Sequence, residues 1–211
     1  MSADPPPFQS AIDARWSVPG DARASLAGAI ARELHQHDEP TFQSATWTRL
    51  RELDAREGFT TRLAARGVLR RPSDGRFLIF RYPFRDGSWR FVLPGGGADD
   101  AETPIEALQR EVLEETSTNA YDLQPSGLVL YHLLASTLHG KQQRPTVQYS
   151  PVLIGRIANE LPDTDGREAH WFSIDEFEAQ PRRPISDPLL KLLRAGERSE
   201  PIEPLAVWLP A

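Results

Sequence analysis

The strongest constraint in the sequence is a strand, a glycine loop and a capped helix that follow one another directly. Residues 89–93 have strand character, and the three glycines at 95–97 let the main chain bend sharply and approach a ligand closely. A helix start follows, because Thr103 can cap, Pro104 suits the first helical position and Glu106 completes a capping box. The segment therefore predicts a loop with a rigid helix behind it.

Two faces of this helix differ in chemistry. One face is apolar at spacings of three and four, and we expect it to be buried: Ile105, Leu108 and Val112. Another face carries three carboxylates at i, i+3 and i+4: Glu111, Glu114 and Glu115. Like charges at this spacing destabilise a helix by a few tenths of a kcal/mol per pair, and a hard cation such as Mg²⁺ or Mn²⁺ would offset the repulsion. The alternative is a solvated acidic helix face after a glycine-rich turn.

The spacing of these residues resembles the box of the Nudix hydrolase family, G-x5-E-x7-R-E-U-x-E-E-x-G-U with U aliphatic. Here Gly96 is followed after five residues by Glu102 and after seven more by the segment 110–115, which reads REVLEE. The Leu93-Pro94 lead-in and the segment 171–177 are similar to family features. The resemblance implies an α/β (α+β) Nudix fold over about residues 60–195, with a mixed sheet between helices.

Three positions depart from the family pattern. Ser117 stands where the box has glycine, Thr118 where it has an aliphatic residue, and Ala101 where glycine is frequent. Glycine tolerates positive φ best at the end of a helix, so serine there costs about 1 kcal/mol or changes the loop slightly. No departure removes a carboxylate, and we expect catalysis to survive.

The rest of the chain predicts an extension on each side of this domain. Residues 1–10 predict a mobile tail, and amphipathic patterns predict helices at 21–37 and 41–57. We predict an N-terminal tail and helical extension at 1–58, the Nudix domain at 59–196 and an extended C-terminal tail at 197–211. Within the domain we predict strands at 62–69, 77–82, 127–137, 146–157 and 169–173, and short helices at 175–180 and 187–193.

Composition excludes several classes of protein. The 211 residues are 39% hydrophobic and carry a formal net charge of −6, which disfavours a protein that coats nucleic acid. Disulfides and zinc–thiolate sites are excluded because there is no cysteine. No apolar run approaches the roughly 18 residues of a membrane span, and the first residues do not form a secretory signal. We expect a cytoplasmic protein without membrane partners.

The resemblance implies hydrolysis of a nucleoside diphosphate linked to another moiety, X, with Mg²⁺ or Mn²⁺ as cofactor. It implies four metal ligands: a carbonyl of Gly95 and the side chains of Glu111, Glu114 and Glu115. Glu102 and Arg110 would orient this set, and Glu111 or a later carboxylate would take the proton from water. The later carboxylate is predicted to be Glu168, with Asp165 and Glu160 as further candidates.

Substrate selection is predicted only by residue type. Phosphates favour arginine, and the candidates are Arg81, Arg85, Arg90 and Arg144. A base or sugar favours an aromatic ring, and the candidates are Tyr82, Trp89, Tyr131 and Tyr149. We select Arg81, Arg90 and Tyr149; the alternative for each is a surface charge or a core ring. The predicted partner is a small-molecule nucleotide derivative.

Three questions stay open at this point. The domain could be a non-catalytic sensor of a nucleotide or ADP-ribose, although a sensor has no need of three clustered glutamates. It could process RNA, although the net charge of −6 disfavours an RNA path. The N-terminal helices could cap the site, pack beside the sheet or form a homodimer interface.

Overall fold

The computed structural model describes residues 21–36, 40–83, 89–134, 145–158, 160–161, 168–180, 186–198 and 203–209. The helices in this part of the chain are α1 (Asp21–Gln36), α2 (Ala45–Arg56), α3 (Pro104–Thr116), α4 (Ile174–Glu178) and α5 (Ser186–Arg198). The strands are β1 (Thr60–Leu63), β2 (Arg66–Arg70), β3 (Phe77–Pro83), β4 (Trp89–Val92), β5 (Ala120–Leu134), β6 (Thr146–Ile157), β7 (Glu168–Phe172) and β8 (Leu205–Trp208).

The strands form one mixed sheet in the order β4-β3-β2-β6-β5-β8. Strands β1 and β2 pair in parallel with successive parts of β6, and β7 pairs antiparallel with β3. Strand β6 is antiparallel to β5, and β8 is added in parallel to the other side of β5. The mixed sheet with helices is the fold class predicted from the sequence.

The sheet lies between two layers of helices, and the alternation along β6 shows this. Val147 and Tyr149 pack with helices α1 and α2, and Leu153 packs with helix α3. Val152 and Ile154 point to the opposite face and pack with α4 and α5. Helix α3 and the N-terminal helices therefore share one face of the sheet.

The N-terminal helices belong to this core. Ile30 is fully buried and Trp47 is 1% exposed, and both lie in one cluster with Val129, Tyr131 and Tyr149 of the sheet. In the described residues these helices therefore pack beside the sheet. A homodimer interface stays a prediction. Trp16 lies outside the described residues.

Several boundaries differ from the predictions: β5, for example, spans Ala120–Leu134 and not 127–137. Two of the differences have local reasons. Helix α2 begins at Ala45 and not at residue 41, because the Ser44 side chain accepts a hydrogen bond from the N–H of Trp47 and caps the helix there. The strand predicted at 62–69 is divided into β1 and β2, and between them Ala64 forms a bridge with Gly97. The division brings the glycine loop against the sheet.

No helix in the described residues is long and apolar enough to cross a membrane.

Candidate active site

Helix α3 is held by its own sequence at both ends. The N–H of Glu106 donates to the Thr103 hydroxyl at 3.2 Å, and the N–H of Thr103 donates to the Glu106 carboxylate at 2.8 Å, so the predicted capping box is present. Ser117 ends the helix in the left-handed region, with φ 52° and ψ 24°, as expected for a position where glycine is preferred. Ala101, the other replaced glycine, also has a positive φ, of 73°.

The buried side of this helix sets its orientation. Leu108 and Val112 are fully buried against Leu69 of β2 and Leu153 of β6, and Ile105 is partly buried there. Burial of such side chains stabilises the fold by about 1.5–3 kcal/mol each. With this side against the sheet, the acidic residues of the helix are turned toward the glycine loop.

Arg110 is the centre of the site. Its Nε and Nη2 donate to the two carboxylate oxygens of Glu102 at 2.8 and 2.9 Å, its Nη1 donates to Glu111 at 3.1 Å, and its Nη2 donates to the Gly97 carbonyl at 2.7 Å. The two hydrogen bonds between Arg110 and Glu102 raise the pKa of the guanidinium and lower the pKa of the carboxylate. Both groups therefore stay charged and clamp the loop to the helix.

The glycine loop comes close to two carboxylates because it has no side chains. The N–H of Gly95 donates to Oε2 of Glu115 at 3.0 Å. At Gly96 a Cβ would lie only 2.2 Å from Oε2 of Glu111. Gly95 has φ 116°, and a Cβ there would lie 2.3 Å from the Ala65 carbonyl oxygen. Glycine is thus required at Gly95 for the main chain to take this course, whereas at Gly96 it leaves room for the Glu111 carboxylate.

The three glutamates do not converge on one point in this structure. Glu115 is 5% exposed and is bound to the Gly95 N–H, whereas the side chain of Glu114 is 61% exposed and lies 3.5 Å from Arg110. Glu111 is held by Arg110. Within the described residues no group of three His, Cys, Asp or Glu side chains is arranged to hold a metal ion. The common metal site that helix spacing suggests is therefore not formed in this structure, because Glu115 binds the Gly95 amide while Glu111 and Glu114 both turn to Arg110.

The chemistry of these donors nevertheless fits a hard divalent cation. Three carboxylates lie within about one turn of helix α3, and the main chain of Gly95 lies against one of them, Glu115. The Gly95 carbonyl accepts a hydrogen bond from Nη1 of Arg66, which also donates to the Leu93 carbonyl at 3.2 Å. A carbonyl oxygen has two lone pairs, so this bond leaves one acceptor position. Sequence reasoning missed Arg66, and the only available signal was a charge within an apolar strand segment.

Glu168 and Arg81 face each other across strands β3 and β7. They are register partners, and Nη1 of Arg81 donates to Glu168 at 3.3 Å. Glu168 also lies 3.4 Å from the His170 ring. Glu168, the predicted catalytic carboxylate, and Arg81, the predicted phosphate-binding arginine, thus contact each other. In the described residues the two partners of Glu168, Arg81 and His170, belong to strands β3 and β7 and not to helix α3.

Tyr149 is in the core. It is fully buried, stacks on Tyr131 with ring centroids 5.8 Å apart, and contacts Trp47 edge to face. Its hydroxyl donates to Asp54 at 3.1 Å. A ring enclosed in this way has no face for a substrate, so we do not keep Tyr149 in the site. Alternate residues of strand β6 face opposite sides of the sheet, and this turns Tyr149 inward. The sequence does not show this burial, because it depends on where the helices are placed.

Among the other substrate candidates, Tyr131 is 2% exposed and lies in the same core, and the rest cannot be placed by their side chains. For Arg90 only the backbone is described, as the partner of Tyr82 between strands β4 and β3. Three candidates lie outside the described residues: Arg85, Arg144 and Asp165.

The comparisons with known proteins agree with the resemblance of this sequence to the Nudix box. A family model described as NUDIX domain matches residues 60–193. An RNA pyrophosphohydrolase of Helicobacter pylori (strain G27) is 53% identical over 38 residues, which are 18% of this chain and 23% of that protein. The chain thus matches less than a quarter of the length of the curated relatives.

Solved structures with a similar chain course share little sequence identity with this protein. A NUDIX hydrolase from Nitrosomonas europaea is 23% identical, covers 68% of this chain and 95% of its own, and has a TM-score of 0.45. A structure described as an ADP compounds hydrolase is 17% identical, covers 67% and 75%, and has a TM-score of 0.49.

Identification therefore rests on the family match, which spans strands β1 to β7, the glycine loop and helix α3. Nudix hydrolases generally use divalent metal ions, and membership supports the enzyme class predicted from the sequence, a Nudix pyrophosphohydrolase. From residue 60 to residue 193 this chain belongs to the NUDIX domain family.

Proposed function

We propose that the protein hydrolyses the pyrophosphate bond of a nucleoside diphosphate derivative and depends on a divalent cation, Mg²⁺ or Mn²⁺. The observation that carries the proposal is the Arg110 network, in which one guanidinium holds Glu102, Glu111 and the Gly97 carbonyl together. A solvated acidic helix face would need no such clamp. Support also comes from the Helicobacter relative, whose name is that of a pyrophosphohydrolase.

The proposed cation ligands are Glu111, Glu114, Glu115 and the Gly95 carbonyl. When bound, the cation would neutralise the diphosphate oxygens and lower the pKa of a water molecule beside them. Glu115 keeps the Gly95 amide, and with it the loop, in register with helix α3.

The other proposed roles belong to side chains around this group. Arg110 and Glu102 orient the loop and the helix against each other. Glu168 is the proposed base outside the box, and Arg81 and Arg90 are the proposed phosphate contacts. In this scheme Arg81, which bonds Glu168, would leave that carboxylate for a phosphate when substrate arrives.

Two alternatives are outcomes of the same experiment. A sensor would bind nucleotide without turnover. An RNA pyrophosphohydrolase activity is favoured by the Helicobacter match, although that match covers only 38 residues. A panel that contains nucleoside diphosphate derivatives, dinucleotides and a 5′-triphosphorylated RNA separates these readings.

The test compares phosphate or nucleotide release by the wild type, Glu115→Gln and Glu114→Gln, with Mg²⁺, with Mn²⁺ and with a chelator. Glutamine keeps the acceptor for the Gly95 N–H, so Glu115→Gln preserves the loop while it removes the charge. We expect losses of roughly 100-fold or more in kcat for both variants. The matched control is Glu52→Gln, an exposed glutamate of helix α2, which should retain full activity.

The proposal fails if turnover persists in Glu115→Gln or does not need the cation. Saturable nucleotide binding with no hydrolysis of any panel member would support the sensor. Release only from the RNA substrate would replace the small-molecule substrate class. Titration of Mn²⁺ by electron paramagnetic resonance, with wild type against Glu114→Gln, tests the cation ligands independently of turnover.

A further inference from the structure

A cleft of about 720 Å³ lies where the N-terminal segment meets strand β1 and the loop after the glycines. Ligand pockets generally occupy about 300–1,000 Å³, so the cleft is large enough for a small organic molecule. Phe42 forms part of its wall and is only 3% exposed, so that wall is firmly packed. Because Phe42 and Arg51 precede residue 60, one side of the cleft is built from outside the family match.

Two arginines supply positive charge to the cleft. Arg62 is exposed on β1, and in the described part of the chain it makes no hydrogen bond or ion pair. Arg51 donates one N–H to the Phe42 carbonyl at 3.1 Å. A guanidinium has five N–H donors, so both side chains keep donors for an anion.

Arg62 also connects the cleft to the proposed active site. Its Nη2 lies against Gly97, where a Cβ would be 2.8 Å away. The carbonyl of the same glycine accepts a hydrogen bond from Arg110. A substrate whose diphosphate lies at the glycine loop could therefore extend over Gly97 and reach Arg62 with a second group.

The opposite wall carries acceptors. Glu102 is satisfied, because its oxygens accept from Arg110 and from the N–H of Asp99. The carboxylates of Asp99 and Asp100 are exposed; Asp99 lies 3.8 Å from Arg110. Such groups repel a bare anion but accept hydrogen bonds from hydroxyls. One wall thus favours a phosphate and the other a polyhydroxylated group.

We propose that this cleft binds a phosphorylated sugar, with Arg62 and Arg51 on the phosphate and Asp99 and Asp100 on the hydroxyls. The inference deepens the proposed function and rests on it in one respect: the sugar phosphate is part of X, the group linked to the nucleoside diphosphate. A lone divalent cation does not fit, because the two arginines would repel it. Inorganic phosphate fits only in part, because it has no sugar hydroxyls to donate to the aspartates.

The test measures binding of ribose 5-phosphate to the full chain by isothermal titration calorimetry, with a chelator present so that hydrolysis does not contribute. We expect saturable binding that weakens about tenfold or more in Arg62→Gln, as for loss of a charge-assisted hydrogen bond. The matched control is Arg49→Gln, an exposed arginine of helix α2 that does not line the cleft. Circular dichroism melts verify that each variant is folded.

A second variant tests the hydroxyl contacts. Asp100→Asn replaces a charged hydroxyl acceptor by a weaker neutral one and removes repulsion that both phosphates feel, so the preference for ribose 5-phosphate over inorganic phosphate should fall. Equal affinities in Arg62→Gln and Arg49→Gln, or no binding by the wild type, would overturn the inference. An unchanged preference in Asp100→Asn would do the same for the assigned hydroxyl side.

These outcomes are separable from failure of the proposed function. If nucleotides are hydrolysed in a Glu115-dependent manner but ribose 5-phosphate does not bind, the function stands and the cleft assignment falls. If ribose 5-phosphate binds through Arg62 and no nucleotide is hydrolysed, the cleft stands as a sugar-phosphate site and the hydrolase proposal falls.

Discussion

A buried ion pair joins the N-terminal helices to the sheet, and replacement of Asp54 by alanine tests how much it contributes to stability. Arg23 of α1 is 3% exposed and Asp54 of α2 is fully buried. Nε and Nη2 of Arg23 donate to Oδ1 of Asp54 at 3.1 and 3.0 Å. The hydroxyls of Thr61 on β1 and Tyr149 on β6 donate to the same carboxylate at 2.8 and 3.1 Å. Four elements therefore meet at one side chain.

The expected loss follows from the charge that would remain. Removal of one partner from a buried ion pair costs about 3–5 kcal/mol, because the other charge stays buried without compensation. Burial raises the pKa of the Tyr149 hydroxyl, so it stays protonated and also loses its acceptor. These losses share one site and do not add, so we expect Asp54→Ala to lower the free energy of unfolding by about 4 kcal/mol. Glu57 binds Arg23 at 2.5 Å but is 38% exposed, so Glu57→Ala should cost only about 0–1 kcal/mol.

Urea unfolding followed by circular dichroism and tryptophan fluorescence measures these differences. The double replacement Arg23→Met with Asp54→Leu leaves neither charge and should recover most of the loss. The reasoning is refuted if Asp54→Ala costs less than about 1 kcal/mol, or if the double variant loses as much as Arg23→Met and Asp54→Leu lose in sum when each is made alone.

Three further predictions concern the box. Gly96→Ala should leave the Tm near that of the wild type but impair hydrolysis, because its Cβ would displace the Glu111 carboxylate, which lies 2.2 Å away. Gly95→Ala should lower the Tm by several degrees, because its Cβ would clash with a main-chain carbonyl at 2.3 Å. Ser117→Gly should raise the free energy of unfolding by about 0.5–1 kcal/mol in urea titrations, because a φ of 52° is strained for serine. The hydrogen bonds from Arg110 lower the pKa of Glu102, so the wild type should be more stable than Glu102→Gln. This difference in stability should be fully present above the ordinary glutamate pKa of about 4.3 and be lost as the pH falls through the lowered pKa of Glu102.

Opposite results would contradict each argument separately. Equal melting of the two glycine variants would mean that the loop relaxes away from the sheet. A destabilised Ser117→Gly would mean that the serine side chain contributes more than its backbone strain costs. A stability difference for Glu102→Gln that does not change between pH 7 and pH 3 would mean that the ion pair with Arg110 does not contribute to folding.

Local rules made part of the site predictable. The capping box at Thr103 and the positive φ at Ser117 depend on residues within one or two turns, and both were expected from the sequence. Arg110 and Glu102, which the resemblance groups as orienting residues, form a bidentate pair although they lie eight positions, or about two helix turns, apart. Sequence reasoning failed for Tyr149, because its burial depends on helices far away in the chain.

The sequence by itself determined the glycine loop, the helix behind it, the order of the carboxylates and the family. Only the tertiary structure decided how each carboxylate is satisfied: Glu115 turns to the Gly95 amide and Glu111 to Arg110, because the loop is folded back onto the helix. It also decided that Arg62 and Arg51 share a cleft with the acidic loop. The reason is physical: caps and turns depend on neighbours in sequence, whereas burial and charge pairing depend on groups that only the folded sheet brings together.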